Sequence, residues 1–207
     1  DAWMRENPWP LVFVAAGNSG GLVLDPANAR SVVAVGASAK DGSTDMYSQS
    51  SHGPLDDDRR GIMVVVPGVG IVSAQGDGVL DSGNGGSAVK TGTSMSTPMA
   101  ASTTALIQQM VEKGWVSHSG DNRTIANLMD LRPQWSNSSG GANISLGVGF
   151  TPSNNLLRAL LSLSAEPLDG GVLAGFEMGY APDEMQGWGR PNLSRIVDVG
   201  GLNYSTS

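Results

Sequence analysis

Three short, almost wholly apolar runs limit what this chain can fold into more than any other feature: Leu11–Ala16, Ser31–Ala37 and Ile62–Val66. Each has the length of a strand, and after Ser31 none shows the apolar/polar alternation of a strand with one wet face. Such runs are expected where a parallel sheet is covered on both sides by other elements. The chain of 207 residues is long enough for one good core, and nothing in it demands a second. The expected class is therefore α/β, a parallel sheet flanked by helices.

The residues after these strands carry the chemistry. Thr91-Gly92-Thr93-Ser94-Met95-Ser96-Thr97-Pro98-Met99-Ala100-Ala101 leads into a small, apolar segment reaching Val111. That segment reads as a helix buried on most sides, with Pro98 in its first turn, where a missing N–H costs nothing. Ser94 then has two readings. It caps the helix with its hydroxyl, or it is a nucleophile at the positive end of a helix dipole, with its own N–H free to stabilise an oxyanion. Gly17-Asn18-Ser19-Gly20, after the first apolar run, is likewise open: a plain turn, or an asparagine amide offered at the carboxyl end of a parallel strand, where such sheets place their sites.

Taken together, Ala15-Ala16-Gly17-Asn18 and Gly92-Thr93-Ser94-Met95-Ser96-Thr97-Pro98, in this order and at this separation, resemble the oxyanion-asparagine and active-serine signatures of the subtilases, the subtilisin-like serine proteases. The resemblance is strong over residues 1 to about 113 and weaker over 151–199, where Gly187-Trp188-Gly189-Arg190 is similar to a closing segment of that catalytic domain. It implies a subtilisin-like peptidase domain over 1–199, with 114–150 as an insertion and 200–207 as a tail. It also implies a serine endopeptidase with Ser94 as nucleophile and Asn18 in the oxyanion hole. Ala15, Ala16, Gly17, Leu24, Asp25 and Pro26 would line the substrate cleft, with a cis peptide at Asp25-Pro26.

Subtilases carry their triad in the chain order Asp, His, Ser, and neither an Asp-Thr-Gly nor a His-Gly-Thr motif stands before Asn18. The expectation is a sheet incomplete at its N-terminal side, with the base supplied by an upstream portion of the same protease domain. Its alternative is a catalytically inactive, subtilase-derived binding or structural protein. The only two histidines, His52 and His118, both follow Asn18. His52 reads as a surface or packing residue. Asp56-Asp57-Asp58-Arg59-Arg60 reads as a solvated charge run, with calcium binding a remote second reading.

Composition narrows the partners. A net charge of −7 argues against nucleic acid and anionic membranes, and no apolar run approaches the roughly 18 residues of a spanning helix. With no cysteine and two histidines, no thiolate or His-rich metal site is expected, and no cofactor. The expected partner is a polypeptide substrate. The resemblance implies an extracellular or secretory location. Two further matches are set aside. Gly83-Asn84-Gly85-Gly86-Ser87-Ala88 fits a dinucleotide pattern, and Lys90-Thr91 part of a phosphate loop, but both fall in a glycine-rich stretch read as a flexible loop over 76–90. A helix over Leu156–Ser164 and a last helix to about Val199 complete the expected elements.

Overall fold

The computed structural model describes residues 1–112 and 150–196. A short helix, α1 (Ala2–Glu6), ends where the Asn7 N–H and side-chain amide both donate to the Trp3 carbonyl and Pro8 forbids continuation. Three parallel strands follow: β1 (Phe13–Ala15), β2 (Val33–Ser38) and β3 (Val64–Pro67), with β2 in the centre. Val14 pairs with Ala34, and Val35 pairs with both Ala15 and Val64. All six residues of β2 are buried.

Beneath the continuous apolar runs lies a period of two. Val33, Val35, Val64 and Val66 face one cluster with Ala100, Ile107, Leu157 and Leu161. Ala34 and Val65 face the other, with Ala16, Val23, Met46, Leu55 and Leu173. The first cluster is roofed by two helices, α2 (Thr93–Glu112) and α3 (Asn154–Ser164), the latter capped by the Ser153 hydroxyl accepting from the Leu156 N–H. The second face is covered by loops and by a small hairpin, β7 (Val172–Leu173) with β8 (Phe176–Glu177).

Two expectations are corrected. The Ser94 helix is not buried on most sides: its buried residues form one stripe, Thr93, Ser96, Ala100, Thr104, Ile107 and Val111, while Met99 and Leu106 are exposed. Small residues all round a helix do not reveal which side packs; the 3–4 spacing of this stripe does. The 76–90 stretch is not all loop, because β4 (Ile71–Ala74) pairs antiparallel with β5 (Ser87–Lys90), Val72 opposite Val89. The hairpin was hidden because its strands are short and largely exposed and its long connection is glycine-rich. Of the last helix only a 3-10 turn, Leu193–Arg195, lies among the described residues. The 114–150 insertion lies, but for Phe150, outside the described residues, as do the 200–207 tail and His118.

The chain closes along the free side of β3. β6 (Ala165–Glu166) pairs with β9 (Arg190–Pro191). The Trp188 N–H donates to Met63, and the Val65 N–H donates to Gly189. Gly189 is required there, since φ is +102° and a Cβ would lie 2.0 Å from the Glu166 carbonyl oxygen. Arg190 reaches back to the carbonyls of Ala39 and Ser43 and to the Ser38 hydroxyl. Trp188 itself is 44% exposed, so it is not a core residue.

The sheet ends are tied together by backbone. The Gly68 N–H donates to Ser38 at the end of β2, and the Gly92 N–H donates to the Gly68 carbonyl, both at 2.9 Å. This brings the start of α2 to the carboxyl end of the sheet.

Candidate functional site

Asn18 stands three residues beyond β1, at that same end. Its Oδ1 accepts from the Thr93 N–H at 2.9 Å and from the Thr93 hydroxyl at 3.2 Å. The Thr93 hydroxyl oxygen in turn accepts from the Gly17 N–H at 3.3 Å. These donors fix the amide, because the flipped rotamer would set Nδ2 against an N–H. Nδ2 therefore points away as a donor, and among the described residues nothing accepts from it. Gly92 makes this approach possible: φ is +146° and a Cβ would stand 3.0 Å from Asn18 Oδ1.

The consequence for α2 is that its cap comes from 75 positions away in the chain. Because Asn18 satisfies the Thr93 N–H, the helix starts at Thr93, and Ser94 is its second residue rather than its cap. Ser94 is exposed, and among the described residues its hydroxyl bonds no backbone N–H. Its own N–H belongs to the first turn, which has no intrahelical acceptor. Pro98 thus falls sixth in the helix, not in the first turn as expected. Its missing N–H leaves the Ser94 carbonyl without the usual bond from the next turn. The Ser96 hydroxyl, fully buried, pins this turn to the Val66 carbonyl at 2.9 Å.

The remaining expected site residues are separate pieces. Ala15 ends β1, Ala16 is buried with its N–H on the Val35 carbonyl, and Gly17 (φ +115°) accepts from the Ser51 N–H. Residues 49–52 back this loop, with bonds from Gly20 to Gln49, from His52 to Gly21 and from Val23 to His52. His52 serves here through its backbone, its ring nitrogen resting on the Gly53 carbonyl. Leu24 is 71% exposed, Asp25 and Pro26 are exposed, and the Asp25-Pro26 peptide is cis, as the sequence resemblance implies. No hydrogen bond joins Leu24, Asp25 or Pro26 to Ser94 or Asn18 among the described residues. No His, Asp or Glu side chain of those residues reaches Ser94 either.

Sequence reasoning missed Thr93 as the group that orients Asn18, although it stands inside the motif. It also read 56–60 as a solvated run, with calcium binding second, and not as a structural tie. Arg59 Nε bonds both Asp57 oxygens at 2.9 and 2.7 Å, Arg59 Nη1 bonds the Asn28 carbonyl at 2.8 Å, and Arg30 pairs with Asp57 at 3.2 Å. The Asn28 N–H in turn donates to Leu24, so this cluster holds the Leu24–Pro26 loop. Arg59→Ala is expected to lower the melting temperature by about 2–4 °C, the worth of roughly 1 kcal/mol from one charged donor on a carbonyl, read by thermal denaturation. The hydrogen bond from Arg59 also holds the Asp57 carboxyl below its ordinary 3.8. A lowered carboxyl contributes stability above the unfolded value and loses it as pH falls through the folded one, so this tie weakens only below about pH 4.

The sequence matches the model of the subtilase family over residues 3–189. This chain is a subtilase. No curated protein matches it. Solved structures do: a lanthipeptide protease (18% identity, TM-score 0.54), the prenylagaramide maturation protease PagA (21%, 0.57) and sphericase (22%, 0.56). They cover 91%, 95% and 88% of this chain, which spans 50%, 52% and 48% of theirs. At these identities the likeness is one of fold, and the subtilase described here has the subtilisin-like parallel sheet. The chain spans about half the length of these structures.

Proposed function

We propose that this subtilase is a serine-type endopeptidase that hydrolyses peptide bonds through an acyl-enzyme on Ser94. The observation that carries this reading is the amide of Asn18, turned by Thr93 so that its Nδ2 donor is free beside a helix start whose second residue is an exposed serine. The Ser94 oxygen attacks the scissile carbonyl carbon while its proton passes to a histidine. The oxyanion forms between Asn18 Nδ2 and the Ser94 N–H. Collapse expels the amine, which takes the proton from the histidine, and water repeats the steps to release the acid.

The histidine and its aspartate belong to an upstream portion of the same protease domain, in keeping with the family's triad order and with the half-length match. Ala15, Ala16 and Gly17 on one side and Leu24, Asp25 and Pro26 on the other hold a polypeptide substrate. Family membership favours secretion. Without its base, Ser94 has the reactivity of an ordinary alcohol, so the 207-residue chain alone is inactive.

A fluorophosphonate probe tests both halves of the proposal. It is expected to label the full-length protease on Ser94, located by peptide mass spectrometry, and to leave the isolated chain unlabelled. Labelling of a different serine, or equal labelling of the isolated chain, overturns the reading. A full-length protein that stays unlabelled would establish the inactive alternative.

A further inference from the structure

At the other end of the sheet from Asn18, where β1 and β2 begin, lies a cleft of about 490 Å³ lined by Arg5, Arg30, Arg158, Ser31, Asn155 and Met4 among others. Three of the nine arginines of a chain with net charge −7 converge there. Among the described residues no carboxylate lines it. Of the carboxylates near its arginines, Asp1 and Asp57 are engaged, and Glu6, next to Arg5 in α1, is exposed to solvent. Asp1 accepts from the backbone N–H groups of Ser31 and Arg30 at 2.8 and 3.3 Å, and Asp57 holds one edge of Arg30.

The guanidinium of Arg5 has no partner among the described residues. Arg158 is half-buried and rests on a neutral group, the Arg30 carbonyl at 3.0 Å; burial lowers its pKa, and it remains a cation. Cations gathered this way repel one another, and the half-buried Arg158 is incompletely solvated, a cost that an anion with several oxygens would relieve. The first turn of α3 adds the positive end of an eleven-residue helix, with Asn155 exposed beside it.

We infer that this cleft binds an acidic peptide segment, through two or more carboxylates set against Arg5, Arg30 and Arg158. A peptide is favoured over a small oxyanion because the space far exceeds one phosphate or sulfate, and because guanidinium forks pair side by side with planar carboxylates. Since the cleft and Asn18 stand at opposite ends of parallel strands, the segment it holds is not the one at Ser94. It holds an acidic polypeptide there whether or not Ser94 is catalytic.

The test is fluorescence anisotropy with fluorescein-labelled hexaglutamate, a neutral Gly-Ser hexapeptide and hexalysine, on the full-length protein carrying Ser94→Ala so that nothing is cut. Hexaglutamate is expected to bind despite the protein's negative charge, the neutral peptide not to bind, and raising salt to weaken the complex steeply. Arg5→Gln with Arg158→Gln should weaken it at least tenfold, and Arg60→Gln, an exposed arginine elsewhere, should leave it unchanged. Arg5→Gln alone, at a side chain without a partner among the described residues, keeps the test valid if the double variant loses its circular-dichroism spectrum; it should weaken binding several-fold. Equal binding by the Arg5 and Arg158 variants, no binding by the parent, or full displacement by 1 mM sulfate or phosphate overturns the inference.

Discussion

If Ser94 acts as proposed, Asn18→Ala in the full-length protein is expected to lower kcat by about 10²–10³ with little change in KM, the loss seen when subtilisin is deprived of its oxyanion-hole asparagine. The structure divides the side chain into two jobs that can be separated. Its Oδ1 takes the Thr93 N–H and hydroxyl and so caps α2, while its Nδ2 is a donor with no acceptor among the described residues, the one the proposed mechanism uses. Alanine removes both and should also cost about 1 kcal/mol of stability, as the loss of a helix cap does. Asn18→Asp keeps the acceptor and removes the donor. It should melt close to the parent and yet lose at least as much turnover, since a carboxylate beside the oxyanion is repulsive. Turnover above a tenth of the parent in either variant would show that Nδ2 has no part in the reaction.

Gly68→Ala is expected to destabilise the fold by roughly 2–3 kcal/mol, a fall in melting temperature of roughly 5–10 °C, by overpacking a site with no room. An added Cβ would lie 2.2 Å from the Ser96 hydroxyl, 2.9 Å from the Ala37 methyl and 2.9 Å from the Gly92 carbonyl oxygen. All three neighbours are held. Ser96 is bonded to Val66, Ala37 lies in the buried central strand, and Gly92 is bonded to Gly68 itself. The first turn of α2 must shift, and Ser94 with it, so activity should fall further than stability alone accounts for. Ser96→Ala removes the closest obstacle. The double variant should therefore melt above Gly68→Ala, although Ser96→Ala alone loses a buried hydrogen bond of about 1 kcal/mol. Purely additive losses would show that the steric account of Gly68 is wrong.

The sheet was legible because each run is apolar on both faces, and only a layered parallel arrangement can hide Val33 and Ala34 alike. Its strand ends were less so: β1 covers three residues of a six-residue run, with Val12 and Ala16 each adding a single backbone bond to β2 beyond it and Leu11 only carrying the apolar pattern on. Ser94 and Asn18 could be named from their motifs, but not what Asn18 does with its oxygen. That depends on a contact across 75 residues, and single-residue signals carry no such information. For the same reason the cap of α2 was sought locally, in Ser94, when it is supplied in space. The Arg59–Asp57–Arg30 cluster looked like solvated charge because a run of charges in sequence says nothing of whether a backbone carbonyl is within reach.

The bond between Gly92 and Gly68 has a meaning for how this protein can diversify. Residues 69–91, including the β4–β5 hairpin, leave the sheet and return to the same point, so the excursion is a closed detour whose ends are fastened to each other. Its exposed Val72, Val79, Leu80 and Val89 contribute nothing to the two buried clusters. Lengthening, shortening or exchanging the hairpin changes only a loop-closure entropy that grows slowly with length. The serine would not feel the difference. This detour is thus a cassette that can be rewritten to present new surface beside Ser94 while the geometry of Asn18, Thr93 and Ser94 is inherited unchanged.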